Sequence, residues 1–101
     1  MSFKNVEITK QANVYFDGKV TSRLIKTADG KSKTLGVMLP GSYHFNTDTE
    51  ELMELTQGAC KVKLDGSDER NSYKGGENFM VQANSGFDIE VTELLDYICH
   101  F

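Results

Sequence analysis

This sequence of 101 residues has only two cysteines, no long apolar run and no excess of positive charge. The disulfide framework of a small secreted domain needs more than one pair of cysteines, so Cys60 and Cys99 are predicted to be reduced core thiols. The apolar runs are too short to cross a bilayer, and residues 1–4 contain no apolar signal segment. No Asn-x-Ser/Thr acceptor for glycosylation occurs. These features predict a soluble, cytoplasmic protein that does not associate with a membrane.

The charge balance is mildly acidic, with a formal net charge of -4. A nucleic-acid binder normally presents a basic face, so this balance argues against nucleic acid as a partner. The 11 Lys and Arg residues are scattered along the chain and form no polybasic patch for a membrane surface.

A chain of this length forms one domain with a modest core. Closing a sheet into a barrel, or pairing with a second copy, would bury more apolar surface.

Familiar catalytic and metal-binding patterns are also missing. No Gly-x-Ser-x-Gly motif marks a nucleophilic serine. A metal site needs three or four converging ligands. His44 follows Tyr43 directly, so in a strand the two side chains point to opposite faces. Two unrelated surface histidines, His44 and His100, are favoured over a metal site built from them. The other candidate metal ligands are Glu51, Cys99 and Asp88.

The dominant hydrophobic period is two residues, which is typical of half-buried strands. It is clearest in the segments 60–64, 87–91 and 97–101, where apolar residues alternate with mostly polar ones. Turn dipeptides separate the segments, and Asp29-Gly30 predicts a hairpin between Val20–Thr27 and Lys33–Leu39. The segment 47–50 has the spacing of a helix capping box, but the apolar stretch that follows is too short for a stable helix. Many short strands with glycine turns predict a sandwich or a barrel.

The stretch 36–45, followed by Glu51 and, after six residues, Gly58, resembles the outline of a cupin sheet. Metal cupins carry a His-x-His pair in this stretch and use the glutamate as a further ligand. This chain keeps Glu51 and Gly58 but has Tyr43 and Phe45 in place of the histidine pair. The resemblance therefore implies a cupin barrel without the usual metal ligands.

Two groups of side chains could bind a small molecule. The first is an anion site on the predicted hairpin, because arginine, hydroxyls and turn amides bind phosphate; an ordinary charged hairpin is the simpler interpretation. Its residues are Lys19, Ser22, Arg23, Lys33 and Thr34. The second is an aromatic lining able to stack on a planar ring, although most of these residues are expected to form the core. Its residues are Tyr43, Phe45, Met53, Phe79, Phe87 and Tyr97.

Longer segments resemble one family closely, the small cupin-type pyrimidine/purine nucleoside phosphorylases. The similar segments are Phe16–Arg23, Lys33–Gly41, Tyr43-x-Phe45, Glu51-x-Met53, Ala83-Asn84-Ser85-x-Phe87 and Asp96-Tyr97-x-Cys99. The similarity runs from about Asn13 onward, so residues 1–12 are predicted to be an N-terminal extension and residues 13–101 the barrel domain. The resemblance implies an all-β, single-domain, RmlC-like jelly-roll, a homodimer, and no metal or cofactor. One departure is Gln82, where relatives commonly have proline.

The implied reaction converts a nucleoside and inorganic phosphate into a free base and a pentose 1-phosphate. Arg23 is predicted to bind phosphate and Glu51 the ribose hydroxyls, where a carboxylate stabilises positive charge on the sugar. The predicted substrate contacts are Lys19, Ser22, Thr34, Tyr43, Phe45, Met53, Asn84, Ser85 and Tyr97. Two rival functions stay open: a non-catalytic cupin that binds a nucleoside or sugar, and a metal-dependent oxygenase or isomerase that uses Glu51 and His44.

Overall fold

The computed structural model describes residues 2–101, which form nine β-strands, one 3-10 turn and no α-helix. Residues 47–50, which have capping-box spacing, form no helix and lead into a strand that begins at Glu51. The 3-10 turn is Phe16–Gly18. In chain order the strands are β1 Glu7–Ile8, β2 Asn13–Tyr15, β3 Val20–Lys26, β4 Ser32–Met38, β5 Gly41–Asn46, β6 Glu51–Leu64, β7 Asn71–Lys74, β8 Asn78–Val81 and β9 Gly86–His100.

The two longest strands, β6 and β9, pair along almost their whole length and form the centre of the sheet. On its other side, β9 pairs first with β5 and then with β4. The outer side of β6 pairs with β8 and then with β7. Register shifts interrupt the β6–β9 ladder between residues 55 and 60, and such bulges bend a strand. The bend lets both halves of the sheet face one interior.

Alternating side chains from six strands meet in one apolar core, which confirms the predicted all-β, single-domain fold. We call the face that contains these side chains the inner face of the sheet. The core residues are Val20, Met38, Tyr43, Met53, Leu55, Cys60, Val62, Phe79, Val81, Phe87, Ile89, Val91, Leu95, Tyr97 and Cys99. Among residues 2–101, no helix is long and apolar enough to span a membrane.

The predicted hairpin around Asp29-Gly30 is confirmed by the β3–β4 ladder. Strand β1 lies within the segment predicted to be an N-terminal extension, yet it pairs with the end of β3. Its Ile8 is opposite Ile25, which is 1% exposed although it lies on the outer face. Part of residues 1–12 therefore extends the sheet.

Candidate functional site

A pocket with a volume of about 520 Å³ opens on the inner face of the sheet. Apolar and aromatic side chains form most of its walls, and a few hydroxyls, carboxylates and one thiol supply its polar groups. Its lining residues are Tyr15, Ser22, Thr34, Met38, Phe45, Asn46, Asp48, Thr49, Glu51, Met53, Phe87, Tyr97, Cys99 and Phe101. A concave, mostly apolar pocket with a small number of polar groups is the usual form of a small-molecule site.

Strand register brings the polar groups together. Thr34 on β4 is opposite Cys99 on β9, and Cys99 is opposite Met53 on β6. Because side chains alternate along a strand, Glu51 lies on the same face as Met53. Residues from three neighbouring strands thus share one part of the pocket.

A second row places Ser22 on β3 and Tyr97 on β9 on either side of Gly36 on β4. A Cβ on Gly36 would lie 1.9 Å from the carbonyl oxygen of Thr21, so only glycine fits. The Tyr97 hydroxyl donates to that same carbonyl oxygen at 3.3 Å. Ser22 is 5% exposed, and its Oγ accepts a hydrogen bond from the side-chain amide of Asn13 at 3.3 Å.

Glu51 is the half-buried carboxyl of the pocket. Burial raises its pKa above the usual value, because a low-dielectric environment disfavours the charged form. A hydrogen bond from the Cys99 thiol opposes that effect, and the nearby charge of Asp48 adds to it. The carboxyl is therefore desolvated, with one donor that favours its ionised form.

Cys99 is 8% exposed, and burial together with the Glu51 charge raises the pKa of its thiol to about 12. At neutral pH the group is therefore a protonated thiol, able to donate and poorly nucleophilic. A hydrogen bond from Thr34 to the sulfur acts in the opposite direction on this pKa. The thiol thus lies between a hydroxyl on β4 and a carboxyl on β6.

Of the eleven catalytic and substrate-contact residues predicted from sequence, six line the pocket and five do not; Phe87, from the predicted aromatic lining, also lines it. The six are Ser22, Thr34, Phe45, Glu51, Met53 and Tyr97. Arg23 is exposed on the outer face of β3, and its Nε donates to the carbonyl of Lys10 at 3.4 Å. Lys19 is exposed just after the 3-10 turn. The structure does not bring either cation to the pocket wall.

The other three predicted residues lie in the core or in a turn and do not line the pocket. Tyr43 is buried in the core, and its hydroxyl donates to the carbonyl of Leu39 at 2.6 Å. Asn84 occupies an exposed turn with a φ of 53°, a conformation that asparagine tolerates. The backbone of Ser85 exchanges hydrogen bonds with Thr47, which ties this turn to the segment that follows β5.

The candidate metal ligands are dispersed over both faces. His44 is exposed, and its Nδ1 pairs with Asp88 at 2.7 Å; this bond raises the pKa of His44 and lowers that of Asp88. His100 lies on the outer face and contacts Glu54 at 2.9 Å. Glu51 is in the pocket. No three His, Cys, Asp or Glu side chains converge as a metal site within the described part of the chain.

Sequence reasoning missed several lining residues. Cys99 was predicted to be a core thiol, although it lies two residues from Tyr97 on the same face, and that spacing could have indicated a shared pocket. Asp48 and Thr49 lie in the connection before β6, where no hydrophobic period marks a side chain as inward. The remaining missed residues are Tyr15, Met38, Asn46 and Phe101.

Residues 10–101 match the model of the family described as "Pyrimidine/purine nucleoside phosphorylase". The chain belongs to this family. A relative of that name from Cupriavidus metallidurans is 54% identical over 99 residues, covering 98% of this chain and 96% of the relative. A crystal structure of a protein of unknown function from Acinetobacter sp. ADP1 is 42% identical with a TM-score of 0.96, covering 99% of this chain and 97% of that one.

A more distant structure shares only the fold. A variant of Bacillus subtilis oxalate decarboxylase is 18% identical with a TM-score of 0.70, covering 88% of this chain and 27% of that one.

Proposed function

We propose that this phosphorylase-family protein is a broad-specificity pyrimidine/purine nucleoside phosphorylase, which converts nucleoside and phosphate into free base and pentose 1-phosphate. The main structural observation in support is a single pocket that combines a desolvated carboxyl, several hydroxyls and aromatic walls. Its volume of about 520 Å³ is within the range of small-molecule sites. The chemistry requires no nucleophile from the protein, because phosphate attacks the anomeric carbon.

The base is proposed to bind among the apolar and aromatic walls. Phe45 and Phe87 have ring centroids 5.6 Å apart, and Met53 lines the same pocket. Aromatic faces stack on any planar ring, so such a wall favours broad base specificity. Recognition by buried polar groups would instead discriminate strongly between bases.

Glu51 is proposed to contact the ribose hydroxyls and to stabilise the oxocarbenium-like sugar of the transition state. A carboxylate with little solvent around it interacts strongly with developing positive charge. The Cys99 thiol supplies a donor that favours the ionised form needed for this.

Phosphate is proposed to bind at the wall formed by Ser22 and Thr34, because hydroxyls can donate to an anion. The two carboxyl groups of the lining, Glu51 and Asp48, disfavour an anion beside them. None of the described residues that line the pocket is Lys, Arg or His. Arg23 stays a proposed phosphate-binding residue, acting through its charge from the far side of the β3 wall.

The double variant Ser22→Ala/Thr34→Val is expected to raise the phosphate KM about tenfold or more, because hydrogen bonds to charged groups are worth roughly 1.5–3 kcal/mol. Arg23→Ala is expected to raise it about threefold, since a charge on the outer face is screened by solvent. Initial rates at varied phosphate concentration give both values. A larger effect for Arg23→Ala than for the double variant would contradict this placement of phosphate.

The proposed function is tested by measuring free-base release from a panel of purine and pyrimidine nucleosides, with and without phosphate, after chelator treatment. We expect release that requires phosphate and survives the chelator. Release that is lost on chelation and restored by a metal would support a metal-dependent cupin instead.

A non-catalytic nucleoside-binding module is the second candidate function. It is favoured by the described pocket lining, which offers aromatic walls for a base but no Lys, Arg or His to hold phosphate. Such a protein would bind nucleosides in calorimetry and release no base.

The homodimer is also a proposal, supported by half-buried apolar side chains on the outer face of the sheet. These side chains are Leu35, Val37, Leu52 and Ile98. A second copy packed on this face would remove them from water, and sedimentation equilibrium measures the resulting mass. The cytoplasmic location stays a prediction.

A further inference from the structure

Two successive aromatic residues, Tyr15 and Phe16, lie where β2 ends and the 3-10 turn begins. Tyr15 is opposite Val20 on β3, and opposite residues of an antiparallel pair share a face. Because the side chain of Val20 belongs to the core, Tyr15 also lies on the inner face. It lines the pocket and is 47% exposed. A large aromatic ring at the rim of a pocket, half in water, offers a surface that a planar ligand can cover.

Phe16 contacts the aromatic wall of the same pocket. Its ring centroid is 5.6 Å from that of Phe45, with the planes at 85°, and 4.9 Å from that of Tyr43. The first pair has the edge-to-face geometry that aromatic rings prefer. Phe45 is half-buried and lines the pocket, and its ring centroid is also 5.6 Å from that of Phe87. Phe16 therefore helps to fix the orientation of a ring in the pocket wall.

The backbone conformation of Phe16 explains how both residues reach the inner side. Successive side chains of a strand point to opposite faces, yet Tyr15 lines the pocket and Phe16 contacts inner-face rings. Phe16 has a φ of 52°, in the left-handed region, which breaks this alternation. The other three non-glycine residues with positive φ among residues 2–101 are Asn or Asp, which tolerate that region far better than a bulky residue does.

Burial alone gives little reason for this strain, since the side chain of Phe16 is 45% exposed. Strained backbone of this kind is concentrated at ligand-binding sites, where the surrounding structure holds it in place. Here the strain turns one ring onto Phe45 and leaves the preceding ring, Tyr15, at the pocket rim.

We infer that these two residues complete the base subsite: Tyr15 contacts the bound base, and Phe16 is a positioning residue that holds the ring of Phe45 against it. The inference rests on the proposed function, in which Phe45 stacks on the base. Stacking requires a flat ring held in one orientation, which the contact with Phe16 supplies. Contacts through ring faces suit purines and pyrimidines alike, because every base has such a face.

The role of Tyr15 is tested by measuring the Kd of inosine and of uridine by calorimetry, without phosphate. Tyr15→Ala is expected to raise both values about tenfold, as for one lost stacking contact. Tyr15→Phe should keep the wild-type values, because the ring remains. Val14→Ala is the control, since Val14 is the preceding residue, 61% exposed, and does not line the pocket. Equal Kd values for Tyr15→Ala and Val14→Ala would overturn the role of Tyr15.

The role of Phe16 is tested by a double-mutant cycle with Phe45, in which leucine replaces each residue and keeps most of its apolar volume. Phe16→Leu alone is expected to raise the nucleoside Kd and KM about fivefold and to leave the phosphate KM unchanged. In the Phe45→Leu background it should have no further effect, because the ring that it positions is gone. Phe3→Leu, at an exposed ring outside the pocket lining, should behave as wild type. Additive effects of Phe16→Leu and Phe45→Leu, or wild-type binding by Phe16→Leu, would overturn the positioning role.

The same measurements separate this inference from the proposed function. If the wild type binds nucleosides and releases no base, the proposed function fails, while the calorimetry still decides the roles of Tyr15 and Phe16. If the wild type releases base and the variants bind as it does, the inference fails and the proposed function stands. A wild type that binds no nucleoside would overturn both.

Discussion

Glu51→Gln is expected to lower kcat/KM for phosphorolysis by two to three orders of magnitude while leaving the fold intact. Glutamine keeps the size and the acceptor oxygen of the side chain but removes the charge that would stabilise the oxocarbenium-like sugar. Loss of one preorganised electrostatic contact typically costs on the order of a hundredfold to a thousandfold in rate. Initial rates with one purine and one pyrimidine nucleoside at saturating phosphate provide the measurement.

In the same Glu51→Gln variant, thermal stability at neutral pH is not expected to fall with the activity. Burial raises the pKa of Glu51, so the folded protein holds this proton more tightly than the unfolded chain does. The resulting contribution to stability is present at low pH and is lost as pH rises through the titration of the carboxyl. Above that window the buried charge is a net cost, which Glu51→Gln removes. The melting temperature at neutral pH should therefore stay the same or rise.

Glu54→Gln is the matched control. Glu54 lies on the same strand but on the outer face, where it contacts His100 at 2.9 Å. The same change of charge there should leave kcat/KM within about twofold, because the contact between Glu54 and His100 lies on the outer face, outside the pocket. If Glu51→Gln kept wild-type rates, or if the two variants lost activity equally, Glu51 would not be the carboxylate that stabilises the sugar.

The sequence was sufficient to predict the strands and several of the residues that share a face. An alternation of two residues is a direct consequence of strand geometry, so Tyr97 and Cys99 could be placed together without a structure. The neighbours of Cys99 across the sheet, Thr34 and Met53, depend on strand register. The resemblance to the family supplied that information indirectly, through the segments that contain those residues.

Arg23 is a residue whose side-chain direction could not be predicted from the sequence. It follows Ser22 directly, and two successive residues of a strand cannot both face the pocket. Arginine was the stronger candidate for phosphate by chemistry, whereas the structure turns Ser22 inward and leaves Arg23 on the outer face. The choice between them depends on which face meets the core, and core residues such as Val20 and Met38 decide that only after the sheet has folded.

Tyr43 shows a different limit of prediction from the sequence, which concerns the hydrogen-bond partner of a buried side chain. It was predicted to belong to the aromatic lining and to contact substrate, and a buried tyrosine hydroxyl needs a hydrogen-bond partner. The partner is the carbonyl of Leu39, four residues earlier, so the hydroxyl requirement is met locally rather than by a ligand. Asp48 and Thr49 line the pocket but were not predicted to do so. They lie in a connection whose path follows from tertiary contacts such as that of Thr47 with the turn at Ser85.

Among the positions of the cupin outline, Gly58 is the one at which the structure explains most clearly why glycine is required. It has a φ of 99° within the bulged part of β6, where the strand bends and lets Glu51 and Met53 face the pocket. A Cβ there would lie 2.2 Å from the carbonyl oxygen of Leu94 and 2.9 Å from the Cα of Leu95. Both contacts are with the backbone of β9, which cannot move aside as a flexible side chain could.

Gly58→Ala is therefore expected to destabilise the protein by about 2–5 kcal/mol, combining roughly 1–2 kcal/mol for the left-handed conformation with roughly 1–3 kcal/mol for overpacking. Urea and thermal unfolding measure this, and a melting temperature lowered by about 10 °C or more is expected for a domain of this size. Gly76→Ala is the control, since its φ of 92° is similar and nothing lies within 4 Å of its Cβ position. The difference between the two variants isolates the contact with β9. Equal losses would mean that backbone conformation alone selects glycine at position 58, and that the tight β6–β9 approach adds nothing to the stability of the bend that forms the pocket.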